Sequence, residues 1–390
     1  MPEKHEHIAF LLSSFRAGGG EKQMVEIANE LVARGRPLDL LVLKPLGPLG
    51  AAVDPRIRIV SLDARRIVLS LPKLIAYLRQ ERPSVILSVD EYTHTLVLFA
   101  RPLARVPVRV VLRIGNMLSV LAGRYEGKAK VLRFLARFLF KRADAIIANS
   151  RGVADDVIAV TGIAPARVSV IPNPKSRQEI LEKARAAVDE EWFRHKTAPV
   201  IVAVGRLRVQ KNFQFLIHAF AKIPEDIGAR LIIIGGGREE SRLREAAARS
   251  GCSSRIHFTG YIENPYAYMS KADVFVSASL WEGMPNALLE ALVCGTPIVA
   301  SDCSSGPREI LAPDSDYRRR LTVGEGVEYA RYGVLHAVGD EMALVEAFTR
   351  FLTDTAMREK YAAASTARSR DFDSHDIVTA YARVLDAQTP

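Results

Sequence analysis

The sequence predicts an α/β protein built from two doubly wound domains, each a mostly parallel sheet covered by helices. Short apolar runs alternate with helix-length amphipathic segments, as strands and crossover helices do. That alternation starts twice with the same strand, turn and helix order, and 390 residues exceed what one core ordinarily fills.

The first half opens on the apolar run Ile8 to Ser13, then RAGGGEKQ at 16 to 23, then Met24, Ile27, Ala28, Leu31 and Val32 at three- and four-residue spacing. This is a strand, a glycine-rich turn and a helix with one apolar face. Leu38 to Leu43, Val85 to Val89, Val108 to Leu112, Ala145 to Ala148 and Val168 to Ile171 read as further strands, several separated by helix-length segments such as Pro72 to Glu81.

The second half repeats the opening with Pro199 to Val204, the turn GRLRVQKN (205 to 212) and a helical stripe of Phe213, Leu216, Ile217 and Phe220. LIIIGGG (231 to 237), IHFTG (256 to 260), ADVFVSAS (272 to 279) and PIVAS (297 to 301) follow as strands with turn signals. The expected domains are therefore 1–180 and 195–371, with a final helix at about 372–390 packing back onto the first. The charged stretch between Pro174 and Pro199 is expected to carry one helix.

Composition narrows the class. With 48% hydrophobic and 25% charged residues, disorder, collagen and coiled coil are excluded. Lys73, Arg133, Arg137 and Lys141 interrupt the most apolar stretches well before the roughly 20 residues of a membrane span. Ile8 to Leu12 follows Glu3 and Glu6 and lacks the basic start and cleavage site of a signal peptide, so a cytoplasmic location is expected. Three cysteines without C-x-x-C spacing, and eight histidines without H-E-x-x-H, argue against disulfides and a structural metal.

In open α/β sheets, ligands bind at the carboxyl ends of strands, and two such domains are expected to face a central cleft. Arg206 follows one strand end and Lys211 opens the next helix, so together they can neutralise a diphosphate. Two solvated surface cations are the alternative reading. In LWEGMPNALLEALVCGTPIVAS (280 to 301), Glu282 and Glu290 flank a turn and a helix start, with Pro285 suited to the first helical turn and Gly295 to the stop. Carboxylates repel phosphates, so their natural partners are hydroxyl groups of a ribose and a sugar. Glu290 lies among Leu288, Leu289, Ala291 and Leu292, a setting that demands a partner.

The E-x(7)-E element with its EGMPN turn, the GRLRVQKN turn, GGGEKQ and SDCSSGPREIL (301 to 311) together resemble family 4 of the retaining, GT-B fold glycosyltransferases over nearly the whole chain. The resemblance implies that Glu290 binds the ribose hydroxyls and Glu282 the sugar hydroxyls, helped by the backbone of Gly283, Met284, Pro285 and Asn286. Arg206 and Lys211 would hold the diphosphate and stabilise its leaving charge. Gly18 and Gly19 would let the first domain approach the diphosphate, and the backbone near Tyr261 and Ile262 would meet the base. The chemistry implied is same-face substitution through an oxocarbenium-like state, with the donor phosphate taking the acceptor proton.

The sequence departs from that pattern at the strand end RIGN, where Arg113 and Asn116 stand in place of the histidine of many relatives. Asp90, Glu91 and His94 follow another strand end; an acceptor-side base among them and plain loop hydrogen bonding are both open. Asp314-Ser315-Asp316 and Asp371-Phe372-Asp373 match the D-x-D of metal-dependent transferases, but neither follows a convincing strand, so no metal and no cofactor are expected.

The formal charge of +10 is uneven: residues 1–200 hold 32 basic and 20 acidic side chains, and 201–390 hold 22 and 24. Within GRYEGKAKVLRFLARFLFKRAD (123 to 144), Val131, Phe134, Leu135, Phe138 and Leu139 share one helical face, and Lys130, Arg133, Arg137 and Lys141 another. Such a helix can pack on its own sheet, lie in an anionic membrane surface, or hold the diphosphate of a lipid-linked acceptor, with Arg133 and Arg137 as contacts. Nucleic acid is not expected, because the cations are not interleaved with exposed stacking aromatics. The sequence is thus read as a cytoplasmic, peripheral-membrane, metal-independent, retaining hexosyltransferase or N-acetylhexosaminyltransferase. Its donor is a UDP-linked sugar, and its acceptor a glycan or polyprenyl-diphosphate-linked glycan of surface polysaccharide or lipopolysaccharide assembly. The alternatives are a nucleotide-sugar epimerase and a catalytically silent nucleotide-sugar binding protein of the same fold.

Overall fold

A computed structural model of the chain describes residues 7–16, 18–63, 69–123 and 138–387. The chain divides into two compact units, Met1–Pro174 with Ser374–Pro390, and Lys175–Asp373. The dividing point falls earlier than the expected limit at 180, and the whole charged stretch after Pro174 belongs to the second unit.

The first unit holds β1 (Ile8–Ser14), β2 (Leu38–Lys44), β3 (Arg58–Ser61), β4 (Val85–Ser88), β5 (Arg109–Ile114), β6 (Ala145–Ala148) and β7 (Val168–Val170). Their order is β3-β2-β1-β4-β5-β6-β7, every pair parallel. Period-two alternation sends Ala9 and Leu11 to one face and Ile8, Phe10 and Leu12 to the other, so both faces are buried. The first face packs on Leu74 and Leu78 of the helix Ser70–Glu81 and on Leu96, Val97 and Ala100 of Glu91–Ala104. The second packs on Met24, Ile27, Ala28 and Leu31 of Gly19–Ala33 and on Ile377, Val378, Tyr381 and Leu385 of Ser374–Asp386. The C-terminal helix therefore completes the first unit's core, with Arg34 donating to the carbonyl of His375 (2.9 Å).

The second unit holds β8 (Val200–Val204), β9 (Arg230–Ile234), β10 (Ile256–Gly260), β11 (Val274–Ser277), β12 (Ile298–Ser301), β13 (Val327–Tyr329) and β14 (Val334–His336). The order is β10-β9-β8-β11-β12-β14-β13, parallel except for β13, which runs antiparallel to β14. Strand order reverses between β1 and β4 in one unit and between β8 and β11 in the other, which marks the carboxyl end of each pair as a ligand position.

Three strands, β3, β13 and β14, have no counterpart in the sequence reading. The stretch after Pro174 forms two helices rather than one, Arg177–Ala184 and Glu191–Arg194. Tertiary partners end the first: Asn264 donates to Lys183 O (2.8 Å), Ser270 to Ala184 O (3.1 Å) and Lys271 to Ala186 O (2.9 Å). Carbonyls left open at a helix end are thus satisfied from outside it. Among the described residues, no helix is long and apolar enough to cross a membrane.

Candidate functional site

In the second unit the first strand of the switch point, β8, ends in Gly205, and the chain turns through Val209–Lys211 into the helix Phe213–Ala221. The aliphatic part of Lys211 folds over Gly205, where an added Cβ would lie 3.1 Å from Lys211 Cε. The cation is thereby delivered to the end of β11, where Lys211 Nζ stands 2.5 Å from Glu282 Oε1. The same oxygen accepts from Ser279 Oγ (2.7 Å). Gln210 Nε2 donates to Trp281 O (2.9 Å) and reaches Glu282 Oε2 at 3.5 Å, while Leu280 N donates to Gln210 O (2.9 Å). Lys211 and Glu282 side chains are 20% and 8% exposed, so this is a largely desolvated charge pair with satisfied hydrogen bonds. An ammonium has three N–H groups, of which Glu282 takes one. Arg206 stands exposed at the same strand end.

The turn Gly283–Pro285 is clamped from the loop after β12. Ser305 Oγ donates to Gly283 O (3.0 Å), and Ser301 Oγ to Ser279 O (2.6 Å). Gly306 has φ +90°, and a Cβ there would lie 2.6 Å from Gly283 O and from Pro285 Cδ, so only glycine allows this approach. The clamping loop is itself fixed by Arg308, 1% exposed, whose Nη2 donates to Asp302 Oδ2 (2.6 Å) and Glu328 Oε2 (2.9 Å). Burial, with the Glu282 charge next, pushes the Cys303 thiol up to about 12, so it stays a neutral thiol.

Glu290 lies on the helix Asn286–Val293, which starts after Pro285 and is followed by Gly295 at φ +70°. Its carboxylate is held by Lys175, Nζ to Oε1 3.3 Å. Burial, with the Glu290 charge next, pushes the Cys294 thiol up to about 12. Ile262 packs on the cluster that contains Met284, Leu288 and Leu289, and Tyr261 beside it is 73% exposed. Asn286 is half-buried at the helix start.

The first unit's switch point differs in character. Gly18 caps the helix Gly19–Ala33 from an extended conformation, and a Cβ on it would lie 2.1 Å from Glu21 Oε2. Arg113, expected at the acceptor, is 4% exposed: its Nη2 donates to Gln23 Oε1 (2.6 Å) and Asn173 Oδ1 (2.7 Å). Its Nη1 would lie 3.5 Å from a Cβ added at Gly20 of the glycine turn; Asn116 beyond it is exposed. Asp90 is a helix cap, accepting from Tyr92 N (3.0 Å) and Thr93 N (3.1 Å). Burial nevertheless pushes its carboxyl above the ordinary value, and it pushes up that of Glu91 beside it. His94 is 2% exposed, bonded through Nδ1 to Ser88 Oγ (2.7 Å); burial, then the Arg113 charge, pulls it down to about 3. Arg133 and Arg137 lie outside the described residues. The two D-x-D segments meet arginines: Asp314 pairs with Arg331 (3.1 Å) and Asp371 with Arg368 (2.5 Å).

Sequence reasoning missed Gln210, Ser279, Ser305, Gly306 and Lys175. Gly306, in the run SSGP, carried a turn signal; Gln210, Ser305 and Lys175 have partners remote in the chain, and Ser279, three residues before Glu282, lay in ordinary loop sequence.

Residues 17–175 match the family described as Glycosyltransferase Family 4, and residues 185–368 match Glycosyl transferases group 1. The chain is 28% identical over 265 residues to the N-acetylgalactosamine-N,N'-diacetylbacillosaminyl-diphospho-undecaprenol 4-alpha-N-acetylgalactosaminyltransferase of Campylobacter jejuni, covering 68% of this chain and 66% of that protein. It is 28% identical over 324 residues to the lipopolysaccharide core biosynthesis glycosyltransferase LpsE of Rhizobium meliloti, covering 80% and 84%. The crystal structure of Anabaena Alr3699/HepE in complex with UDP-glucose superposes with a TM-score of 0.79 at 21% identity, over 98% of this chain and 100% of that one. Two doubly wound sheets of this order, matched along most of the chain, define a glycosyltransferase of the GT-B fold. Within that class the chain belongs to glycosyltransferase family 4.

Proposed function

We propose that the chain transfers a hexose or N-acetylhexosamine from a UDP-linked donor to a glycan or polyprenyl-diphosphate-linked glycan, with retention and without a metal ion. The observation that carries this reading is the Lys211–Glu282 pair at the β8/β11 switch point, a cation and a carboxylate held at one ligand position. Lys211 and exposed Arg206 take the diphosphate and its developing charge. Glu282, already oriented by Ser279 and Gln210, accepts from sugar hydroxyls, beside the backbone of Gly283, Met284, Pro285 and Asn286. Glu290 accepts from the ribose hydroxyls, and the base lies against the backbone at Tyr261 and Ile262. The donor phosphate takes the acceptor proton.

UDP-glucose bound to HepE and the lipid-diphosphate acceptor named for the Campylobacter enzyme support the choice of substrates. With such an acceptor, the enzyme works as a peripheral protein on the anionic cytoplasmic face of the membrane, and the 123–144 segment supplies cations to that surface or to the lipid diphosphate. A thermal-shift screen of UDP-, GDP- and ADP-sugars tests the donor: UDP compounds raise the melting temperature, and no shift with any of them removes the assignment. NMR of the product anomer and turnover in chelator test retention and metal independence. Flotation with anionic vesicles tests the membrane surface.

A further inference from the structure

Lys175 is the first residue of the second unit, and its side chain is only 5% exposed. A buried ammonium requires a compensating anion, and Glu290 Oε1 at 3.3 Å provides it. The root of Lys175 is fixed by main-chain bonding: its N donates to Phe372 O (2.8 Å), and it forms a parallel bridge with Asp373, the last residue of the unit. Pro174 precedes it and restricts the backbone further. A long, flexible cation is thus anchored at one end by backbone and at the other by Glu290.

The consequence falls on the carboxylate. Glu290 projects from a helix whose neighbouring positions Leu289 and Ala291 are 1% and 0% exposed, so the helix itself is immobilised by packing. Its side chain alone would still sample several rotamers, each of which must be surrendered when a ligand binds. The ion pair to Oε1 removes that freedom beforehand, and leaves Oε2 and the second lone pair of Oε1 to accept two further hydrogen bonds. Two vicinal hydroxyls present two such donors.

We propose that Lys175 is the positioning residue for nucleotide recognition: by holding Glu290 it sets the enzyme's preference for ribose over deoxyribose. This rests on Glu290 as the ribose-binding carboxylate. Lys175 touches neither sugar nor phosphate in this scheme; it acts through Glu290, so its loss affects ligands that carry the hydroxyls and spares those that lack them.

Calorimetric titration of the full chain with UDP and with 2′-deoxy-UDP tests it, using wild type, E290Q, K175M and K175M/E290Q, with each variant's melt recorded without nucleotide. Wild type is expected to prefer UDP by about tenfold or more, the effect of a hydrogen bond to a charged acceptor. K175M and E290Q are each expected to lose most of that preference, weakening 2′-deoxy-UDP, which keeps one of the two hydroxyls, less than UDP, and the double variant to lose no more than E290Q. Where K175M fails to fold, K175S carries the same test, because its short side chain cannot reach Glu290 and its hydroxyl sets no long apolar chain against the carboxylate. Loss of preference in E290Q but full preference in K175M or K175S overturns the positioning role alone. Full preference in E290Q, or none in wild type, removes the ribose assignment and the positioning role with it. Weakening of UDP and 2′-deoxy-UDP by the same factor in K175M would reduce the pair to a structural one.

Discussion

At the β8/β11 end of the second unit, Lys211 and Glu282 meet at 2.5 Å while still 20% and 8% exposed, and Arg206 stands in solvent beside them. At the β1/β4 end of the first unit, the corresponding groups turn inward. Arg113 bonds two neutral amides at 4% exposure, His94 bonds Ser88 at 2%, and Asp90 caps its own helix. Both ends follow a reversal in the same strand order, so topology supplies the crevice in each case and does not by itself assign chemistry. The difference lies in what answers each charge. In the second unit a carboxylate and an ammonium keep donors and lone pairs to offer, whereas in the first Arg113 Nη2, His94 Nδ1 and Asp90 Oδ1 are bonded within the unit.

Five experiments break or sharpen that contrast. Lys211→Ala is expected to lower kcat/KM by about 10²–10³-fold, as loss of a group that meets developing charge does. A smaller loss than that of any first-unit variant would reverse the comparison. Glu282→Gln keeps the shape and removes the charge, so turnover should fall by about tenfold to a hundredfold with little change in UDP affinity, measured by steady-state kinetics beside calorimetry. Arg113→Met should instead act on stability. Gln23 and Asn173 lose a donor, at a cost of about 1–3 kcal/mol in urea unfolding, while UDP affinity persists in the fraction that stays folded. Activity lost at unchanged stability would place Arg113 in the chemistry.

The fourth concerns acid. His94 is held down to about 3 in the folded chain, whereas unfolded histidine titrates near its ordinary value of about 6.5. Above that value both states are neutral and the group contributes nothing. As pH falls from about 6.5 toward 3, only the unfolded chain takes the proton, so stability declines by up to about 1.4 kcal/mol per pH unit. His94→Gln should flatten this acid limb in denaturant midpoints at pH 5 against pH 7. His336 in the second unit, pulled down to about 4 by burial, leaves a remaining slope. The smallest effect is expected of Asp90→Ala, about 1 kcal/mol for a lost helix cap with kcat unchanged. A fall in kcat with a changed pH profile would restore Asp90 as an acceptor-side base.

Much of the fold was legible because buried parallel strands are written as continuous apolar runs. Ile8 to Leu12 and Val200 to Ala203 are fully buried and could be read directly. The missed strands lack that signature: β3 reads RIVS with three of four residues exposed, and β13 and β14 are three residues each. Among candidate site residues, Lys211, Glu282 and Glu290 were visible as charges beside strand ends and apolar helix positions. Arg113 was visible for the same reason, yet it points inward, because the direction of a side chain at a strand end depends on what packs beside it.

The sequence alone determined the class of fold, the two starting points of the sheets, and which carboxylates and cations are candidates for ligand chemistry. These are local properties, set by hydrophobic period and by charges placed against apolar neighbours. Tertiary structure decided the pairings. Lys211 with Glu282 and Lys175 with Glu290 join residues 71 and 115 positions apart, and the C-terminal helix completes the first core from the far end of the chain. Such contacts carry no local signal, since the free energy that selects them comes from burying both faces of each sheet and compensating each charge that this burial desolvates.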